Sequence, residues 1–161
     1  MRAIFPGSFD PITIGHINLI ERAAVICEKL YVVVAENEAK SSVLFSLSQR
    51  YRFVCNSCSN IDNVEVINFS GLIADCAKNL DVKFIIRGVR PGSDICYESN
   101  MASMNSQLAP GIETLLLSSY PEYSHISSSL VRQIMAAKGD ARPFLPSNII
   151  NDLADLTLNG S

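Results

Sequence analysis

Short apolar runs alternate with helical patterns five times along this sequence. The runs lie at 3–5, 30–35, 64–69, 84–86 and 114–117. The run at 30–35 is uninterrupted and rich in β-branched residues, which is typical of a strand buried on both faces of a parallel sheet. Apolar residues at helical spacing follow each run, and they predict helices at 14–27, 47–58, 72–80, 94–108 and 128–138, with a last helix at 148–158.

Turn and cap residues set the expected boundaries of these elements. Pro6 and Gly7 are expected to stop the first strand directly after residue 5. Thr13 stands where the N-cap of the first helix is expected, and Ser46 with Gln49 fits a capping box for the second.

This order of elements predicts an α/β fold, namely a Rossmann-like, doubly wound, five-stranded parallel sheet with helices on both faces. The length of 161 residues fits a single domain over 1–161. Hydrophobic residues make up 48% of the chain and charged residues 18%. This composition excludes intrinsic disorder, which requires low hydrophobicity and high net charge.

Charge and hydropathy argue against two classes of partner. The net charge is −3 and no basic run occurs, so nucleic acid is not an expected partner. The longest strongly apolar run has six residues, whereas a membrane-spanning helix needs about 20, so no membrane association is expected. The N-terminus reaches Pro6 too soon for a signal-peptide core, and the expected location is therefore the cytoplasm.

The cysteine pattern leaves one alternative open. Five cysteines are an odd number, and cytoplasmic thiols stay reduced, so a disulfide framework is not expected. Cys55 and Cys58 have the spacing of metal ligands or of a redox pair. No second Cys or His pair at matching distance accompanies them, so we interpret them as small apolar side chains one helical turn apart and expect no protein-held metal.

The segments that follow the strands are the candidate site, because ligands of parallel α/β sheets bind beyond the carboxyl ends of the strands. They are 7–16, 36–42, 70–73, 87–94 and 118–129. The first contains neither G-x-G-x-x-G nor the P-loop pattern. It places His16 in the first turn of a helix, where free amides and the helix dipole favour anions. The simpler interpretation is a capped helix whose histidine is merely polar.

The other segments add cations and hydroxyls at the same edge of the sheet. Lys40 lies in the second segment, where a lysine is usually only solvated. Arg87 and Arg90 follow the fourth strand, and the planar fork of arginine suits phosphate. Serines 127–129 stand at a helix start, where they serve either as ligands or as an ordinary N-cap. Together these groups predict a site for a nucleoside triphosphate and a second phosphate, and catalysis by orientation and charge stabilisation.

Five ordered motifs carry a family resemblance. The segment G-S-F-D-P-I-T-I-G-H resembles the T-x-G-H signature of the nucleotidyltransferase superfamily. With I-R-G-V-R, Y-E, M-N and I-S-S-S-L-V-R in order, the chain resembles the bacterial phosphopantetheine adenylyltransferases from residue 2 to about residue 156. The resemblance implies transfer of the adenylyl group of ATP to 4′-phosphopantetheine with Mg²⁺, giving dephospho-coenzyme A and pyrophosphate. It also implies a cytoplasmic homohexamer and allows feedback binding of coenzyme A.

The resemblance also implies roles for individual residues. His16 is the implied catalytic residue, which stabilises charge at the α-phosphorus. The implied phosphopantetheine-binding residues are Ser8, Lys40, Ile73 and Arg87. The implied ATP-binding residues are Ser8, Phe9, His16, Gly88, Val89, Arg90, Glu98, Tyr123, Ser124, His125, Ile126, Ser127, Ser128 and Ser129. A stripe of Met101, Met104 and Leu108 is our candidate subunit contact, with ordinary core packing as the alternative.

Several positions depart from the family pattern. Ser8 stands where threonine is usual, and the hydroxyl is kept. Ile95, Cys96, Ser99 and Asn100 also differ, which affects expectations for the adenine side and the subunit contacts. Two rival enzymes are a nicotinate-nucleotide adenylyltransferase, which shares T-x-G-H, and a cytidylyltransferase. A third reading is a module that binds ATP without turnover, and the joint presence of His16, Lys40, Arg87 and Arg90 argues against it.

Overall fold

A computed structural model describes residues 1–36 and 43–158, apart from the side chains of 93 and 155–158. The strands are β1 (Arg2–Gly7), β2 (Lys29–Glu36), β3 (Val64–Ser70), β4 (Phe84–Val89) and β5 (Glu113–Ser118). The helices are α1 (Ile14–Ile26), α2 (Leu47–Cys58), α3 (Ile73–Asn79), α4 (Ser93–Leu108), α5 (Ser128–Ala136) and α6 (Ile150–Leu158). All five strands and six helices lie where the sequence pattern predicts them, with ends that differ by a few residues.

The five strands form one parallel sheet in the order β3-β2-β1-β4-β5. Alternate residues of the strands pack into two hydrophobic clusters. On β2, Val32 and Val34 face a cluster with α1 and α2, whereas Val33 faces a cluster with α3. The prediction of a doubly wound parallel sheet with helices on both faces is therefore confirmed, and the β-branched run is buried on both sides as expected.

The helix caps expected from the sequence are present. Thr13 is the N-cap of α1, and its hydroxyl accepts a hydrogen bond from the His16 amide. Ser46 caps α2, where its hydroxyl accepts from the Gln49 amide at 3.2 Å while the Gln49 side chain accepts from the Ser46 amide at 2.9 Å. These reciprocal bonds satisfy amides that the first turn of a helix leaves free.

Strand β1 is longer than expected, because Pro6 and Gly7 do not stop it. Both residues pair with β2, opposite Val33 and Val34. The Pro6 carbonyl accepts a hydrogen bond from the Arg87 guanidinium on the side of β4, and backbone pairing between β1 and β4 is confined to Ala3 and Ile4. In a β-strand the N–H and the C=O of one residue point to the same side, so the N–H that proline lacks would also point towards β4. Pro6 has no backbone partner on β4, and no hydrogen bond between strands is therefore lost.

The strand order places the expected binding edge between β1 and β4. The connection from β1 leads to β2 on one side, whereas β4 and β5 lie on the other, so the chain diverges at this point. Crevices at such a switch point, beyond the carboxyl ends of the strands, are the usual ligand sites of doubly wound sheets. Among the described helices, none has the length and apolar character needed to cross a membrane.

Candidate active site

Two adjoining cavities open at the carboxyl ends of β1 and β4. The first cavity, of about 210 Å³, lies between the start of α1, the end of β4 and the start of α5. The second cavity, of about 240 Å³, lies between the ends of β1 and β2 and one face of α4. Pro6, Gly7, Ser8 and Arg87 line both cavities. A ligand in one cavity therefore lies next to a ligand in the other.

The ring of His16 on the wall of the first cavity is held in one tautomer. The Thr13 backbone N–H donates to His16 Nδ1 at 3.1 Å, and the Thr13 hydroxyl lies 2.9 Å from the same nitrogen. Because a backbone N–H can only donate, Nδ1 must be the acceptor, and the proton of the neutral ring is on Nε2. Nε2 makes no hydrogen bond with the described part of the chain, so its N–H is free to donate to a ligand.

The surroundings of His16 keep the imidazole uncharged. Burial, followed by the positive charges of Arg87 and Arg90, lowers the pKa of His16 to about 4. Both causes disfavour the imidazolium, since removal from water and nearby cations raise the cost of a further positive charge. At neutral pH His16 is therefore a neutral donor that approaches an anion through one defined N–H.

The buried ring of Phe9 packs against the His16 imidazole. Its ring is 1% exposed and meets the His16 ring edge-on, with centroids 5.2 Å apart. The backbone of Phe9 is in the left-handed region at φ 47°, an uncommon conformation for a residue with a side chain. A Cβ added to Gly7 would lie 2.8 Å from Phe9 Cζ, so only glycine leaves room for the ring at that position.

The two arginines of the site are oriented by carboxylates. Arg87 forms a two-pronged pair with Glu98, with Nε–Oε2 at 2.8 Å and Nη2–Oε1 at 2.7 Å. Arg90 is paired with Asp94, with Nε–Oδ2 at 2.7 Å and Nη2–Oδ1 at 3.2 Å. Since a guanidinium has five N–H donors, each arginine keeps donors for a bound phosphate beyond these pairs.

The serine-rich start of α5 closes the other side of the first cavity. Ser127 is the N-cap, and its hydroxyl accepts from the Leu130 amide at 3.2 Å. The Ser128 hydroxyl donates to the Pro11 carbonyl at 2.7 Å, which ties this helix start to the segment that follows β1. Ser127 is thus an N-cap and, like Ser128, also lines the first cavity, so its predicted role as a ligand of the nucleotide stays a prediction.

Most residues that the sequence singled out are brought together here, and some are not. The first cavity is lined by Ser8, Phe9, His16, Arg87, Gly88, Arg90, Tyr123, Ile126, Ser127 and Ser128. The second is lined by Ser8, Ile73, Arg87 and Glu98, so Glu98 lies beside the acceptor-side residues. Neither lining includes Val89, Ser124, His125 or Ser129. Lys40 falls within 37–42 and so lies outside the described residues.

Sequence reasoning singled out Glu98 but missed the other residues on the same wall of the second cavity. The face of α4 contributes Glu98, Met101, Ala102 and Asn105, which recur at i, i+3, i+4 and i+7. That spacing places all four on one side of a helix and was the available signal. Ala35 at the end of β2 and Thr114 on β5 also line this cavity, and neither belongs to a sequence motif.

The described cysteines take no part in either cavity. Cys58 is 4% exposed and packs in the core beneath α2, where burial raises its pKa to about 12. Thiolates rather than thiols bind metals, so such a thiol is a poor ligand. Within the described ranges, no group of three or more His, Cys, Asp or Glu side chains is arranged to hold a metal ion.

Comparison with known proteins identifies the family. The family model described as Cytidylyltransferase-like matches residues 4–134. A phosphopantetheine adenylyltransferase of Haemophilus ducreyi is 42% identical over 150 residues, which cover 93% of this chain and 92% of the relative. The chain belongs to the phosphopantetheine adenylyltransferase family.

Further relatives and solved structures agree with this placement. The phosphopantetheine adenylyltransferase of Prochlorococcus marinus is 43% identical, over 96% of this chain and 98% of the relative. The phosphopantetheine adenylyltransferase of Clostridium botulinum is 44% identical, over 94% of this chain and 92% of the relative. A Plasmodium falciparum nicotinic acid mononucleotide adenylyltransferase complexed with NaAD has a TM-score of 0.68 at 14% identity, over 98% of this chain and 96% of that one. A lipopolysaccharide core biosynthesis protein from Thermoplasma volcanium has a TM-score of 0.55 at 18% identity, over 74% of this chain and 98% of that one. These two likenesses concern the fold alone.

Proposed function

We propose that this protein transfers the adenylyl group of ATP to 4′-phosphopantetheine, giving dephospho-coenzyme A and pyrophosphate. The observation that carries the proposal is the shared wall of the two cavities. Ser8 and Arg87 line both, so ATP in the first cavity and the acceptor phosphate in the second would meet at these residues. Two substrates held side by side react as if at very high effective concentration.

The proposed reaction needs no nucleophile from the protein. An oxygen of the 4′-phosphate attacks the α-phosphorus of ATP, one P–O bond forms, and the bond to the pyrophosphate leaving group breaks. A phosphate monoester has its second pKa near ~6 and is largely dianionic at neutral pH, so no base has to remove a proton. None of the residues lining either cavity is a cysteine, which accords with direct transfer between the substrates.

His16 supplies charge stabilisation in this mechanism. Its Nε2–H would donate to an α-phosphoryl oxygen, whose charge shifts as the bond to pyrophosphate loosens. A donor that is fixed beforehand acts without reorganisation, and the Thr13 amide fixes this one. Because the ring is neutral, it remains a donor and does not transfer a proton to the phosphate.

Arg87 and Lys40 would hold the phosphate of the acceptor. Arg87 lies where the two cavities meet, and its pairing with Glu98 aims the guanidinium. Ile73 and the inner face of α4 would line the pantetheine arm. Arg90 and Gly88 would hold the nucleotide together with the residues at and before the α5 start that line the first cavity, namely Tyr123, Ile126, Ser127 and Ser128.

Mg²⁺ would enter with the substrate rather than occupy a protein cage. Mg²⁺ is usually held by substrate phosphates, water and one or two carboxylates. The carboxylates that line the two cavities, Asp94 and Glu98, are engaged with arginines. We therefore propose that the triphosphate supplies most ligands, and that bound Mg²⁺ would neutralise its charge.

The role of His16 is tested with His16→Ala, using His125→Ala as the matched control because His125 lines neither cavity. Loss of one preorganised donor typically lowers turnover by ~10²–10³-fold. His16→Ala should show that loss in kcat while ATP still binds, since Arg90 and the α5 start remain. Wild-type kcat with weakened ATP binding would make His16 a binding group and contradict this mechanism.

We further propose that the protein assembles as a homohexamer. Met104 is 55% exposed and Leu108 46%, so the core-packing alternative for this stripe is wrong for these two residues. Leu115 and Leu116 on the edge strand β5 are also exposed. Apolar surface on adjoining elements is typical of an interface between subunits. A monomer in light scattering at micromolar concentration would contradict the proposal.

Feedback and location complete the proposal. Coenzyme A contains the phosphopantetheine arm of the acceptor, so we propose that it competes for the second cavity. We also propose a cytoplasmic location, as the family resemblance implies.

A further inference from the structure

Arg50 on α2 is a buried cation that the proposed mechanism does not use. Its side chain belongs to a residue only 3% exposed. Its guanidinium makes no ion pair with any carboxylate in the described part of the chain. Removing a charged group from water without an opposite charge beside it costs free energy of folding. The burial of Arg50 therefore calls for a compensating interaction.

The guanidinium of Arg50 instead binds three backbone carbonyls from three segments. Nη1 donates to the Ser8 carbonyl at 2.7 Å and to the Ala35 carbonyl at 3.0 Å, and Nε donates to the Phe45 carbonyl at 3.1 Å. Ser8 and Ala35 both line the second cavity. One side chain thus fixes the distance between the ends of β1 and β2 at the mouth of that cavity.

Asp10 also ties the segment after β1 to the residues that precede α2, in this case as a hydrogen-bond acceptor. It is 2% exposed, and its carboxylate accepts from the Leu44 amide at 2.8 Å and from the Phe45 amide at 2.9 Å. Its backbone carbonyl accepts from Arg132 Nη1 at 2.7 Å. The segment after β1 is therefore held to the lead-in of α2 by both Arg50 and Asp10, and to α5 by Arg132.

We propose that Arg50 is a positioning residue for the acceptor, acting through the Ser8 and Ala35 backbone. The inference rests on the proposed function, because the second cavity is taken to be the phosphopantetheine site. Arginine is required because its donors point in several fixed directions from one plane, whereas the ammonium of lysine offers one centre on a flexible stem. The nucleotide side depends less on this contact, since Arg90 and the α5 start are held by other residues.

The test compares Arg50→Lys and Arg50→Met with the same substitutions at Arg52. Arg52 lies on the same helix with its side chain 55% exposed, and it lines neither cavity. The measurements are KM for each substrate, kcat per folded protein, and the Kd of 4′-phosphopantetheine by calorimetry. Misplacement of a binding group by about 1 Å costs about 100-fold, so we expect the acceptor KM and Kd of both Arg50 variants to rise ~10–100-fold.

The KM for ATP is expected to change little in the Arg50 variants, and the Arg52 variants are expected to resemble wild type. Equal rises in both KM values, or unchanged kinetics with only lower thermal stability, would overturn the proposal. Failure of both Arg50 variants to fold would also overturn it, because Arg50 would then be purely structural. Failure of the proposed function itself is distinct, since the wild-type protein would then not use 4′-phosphopantetheine at all.

Discussion

The protonation state of His16 can be measured directly, because the chain contains only two histidines. In a His125→Gln background a single imidazole remains for NMR. Burial and the two nearby arginines lower the pKa of His16 to about 4, and the Thr13 amide fixes the proton on Nε2. We expect the ring to titrate near that value and to show the Nε2–H tautomer at neutral pH.

The lowered pKa also predicts a pH dependence of stability. The unfolded chain has the ordinary histidine pKa of 6.5 and the folded chain a pKa of about 4. A difference of about 2.5 in pKa corresponds to about 3 kcal/mol of folding free energy. Because the unfolded state binds the proton first as the pH falls, this contribution is complete above about pH 6.5 and is lost as the pH falls towards about 4.

This contribution is measured by urea unfolding at about pH 7 and at about pH 4.5. The two proteins compared are the His125→Gln variant, which keeps His16, and the double variant that also carries His16→Gln. Other titrating groups are common to both proteins and cancel in the comparison. The protein with His16 should lose about 2.5 kcal/mol more than the variant between these two pH values. Equal losses, a titration near 6.5, or a proton on Nδ1 would refute the account of His16 as a neutral Nε2–H donor.

Three further predictions concern other parts of the molecule. Pantetheine without its phosphate should be a poor acceptor, because Arg87 at the junction of the cavities would have no partner; equal turnover with both acceptors in a steady-state assay would contradict this. Replacement of Cys55 and Cys58 by alanine should lower thermal stability through lost packing and leave kcat unchanged, whereas stoichiometric zinc that is lost in the variant would show a metal site. Gly7→Ala should cost about 1–3 kcal/mol in urea unfolding through its clash with the Phe9 ring, and wild-type stability would show that the ring can move aside.

The order of elements could be predicted because periodicity is a local property of the sequence. The β-branched run of β2, the Thr13 N-cap of α1 and the capping box of α2 each specify a structure without help from distant residues. The end of β1 could not be predicted in the same way. Pro6 is tolerated there because its backbone carbonyl accepts from the Arg87 side chain and has no partner in the backbone of β4. This contact depends on the position of β4, which is distant in the sequence.

The same distinction holds for the site. His16, Arg87 and the α5 start could be found because each directly follows a strand or begins a helix. Adjacent positions in the same motif differ in ways that depend on packing: Ile126 lines the first cavity, whereas His125 meets Phe144 edge-on away from it. Arg50 could not be found from the sequence, because its partners are carbonyls that only the folded chain brings together.

Acceptor choice tests the central claim most directly. The wild-type protein is incubated with ATP and Mg²⁺ and with either 4′-phosphopantetheine or nicotinate mononucleotide, and pyrophosphate release is followed while the nucleotide product is identified by mass. The account predicts pyrophosphate and dephospho-coenzyme A in equal amounts with 4′-phosphopantetheine, and neither pyrophosphate nor adenylylated product with nicotinate mononucleotide. Preferential adenylylation of nicotinate mononucleotide, or ATP binding without pyrophosphate release from either mixture, would contradict it.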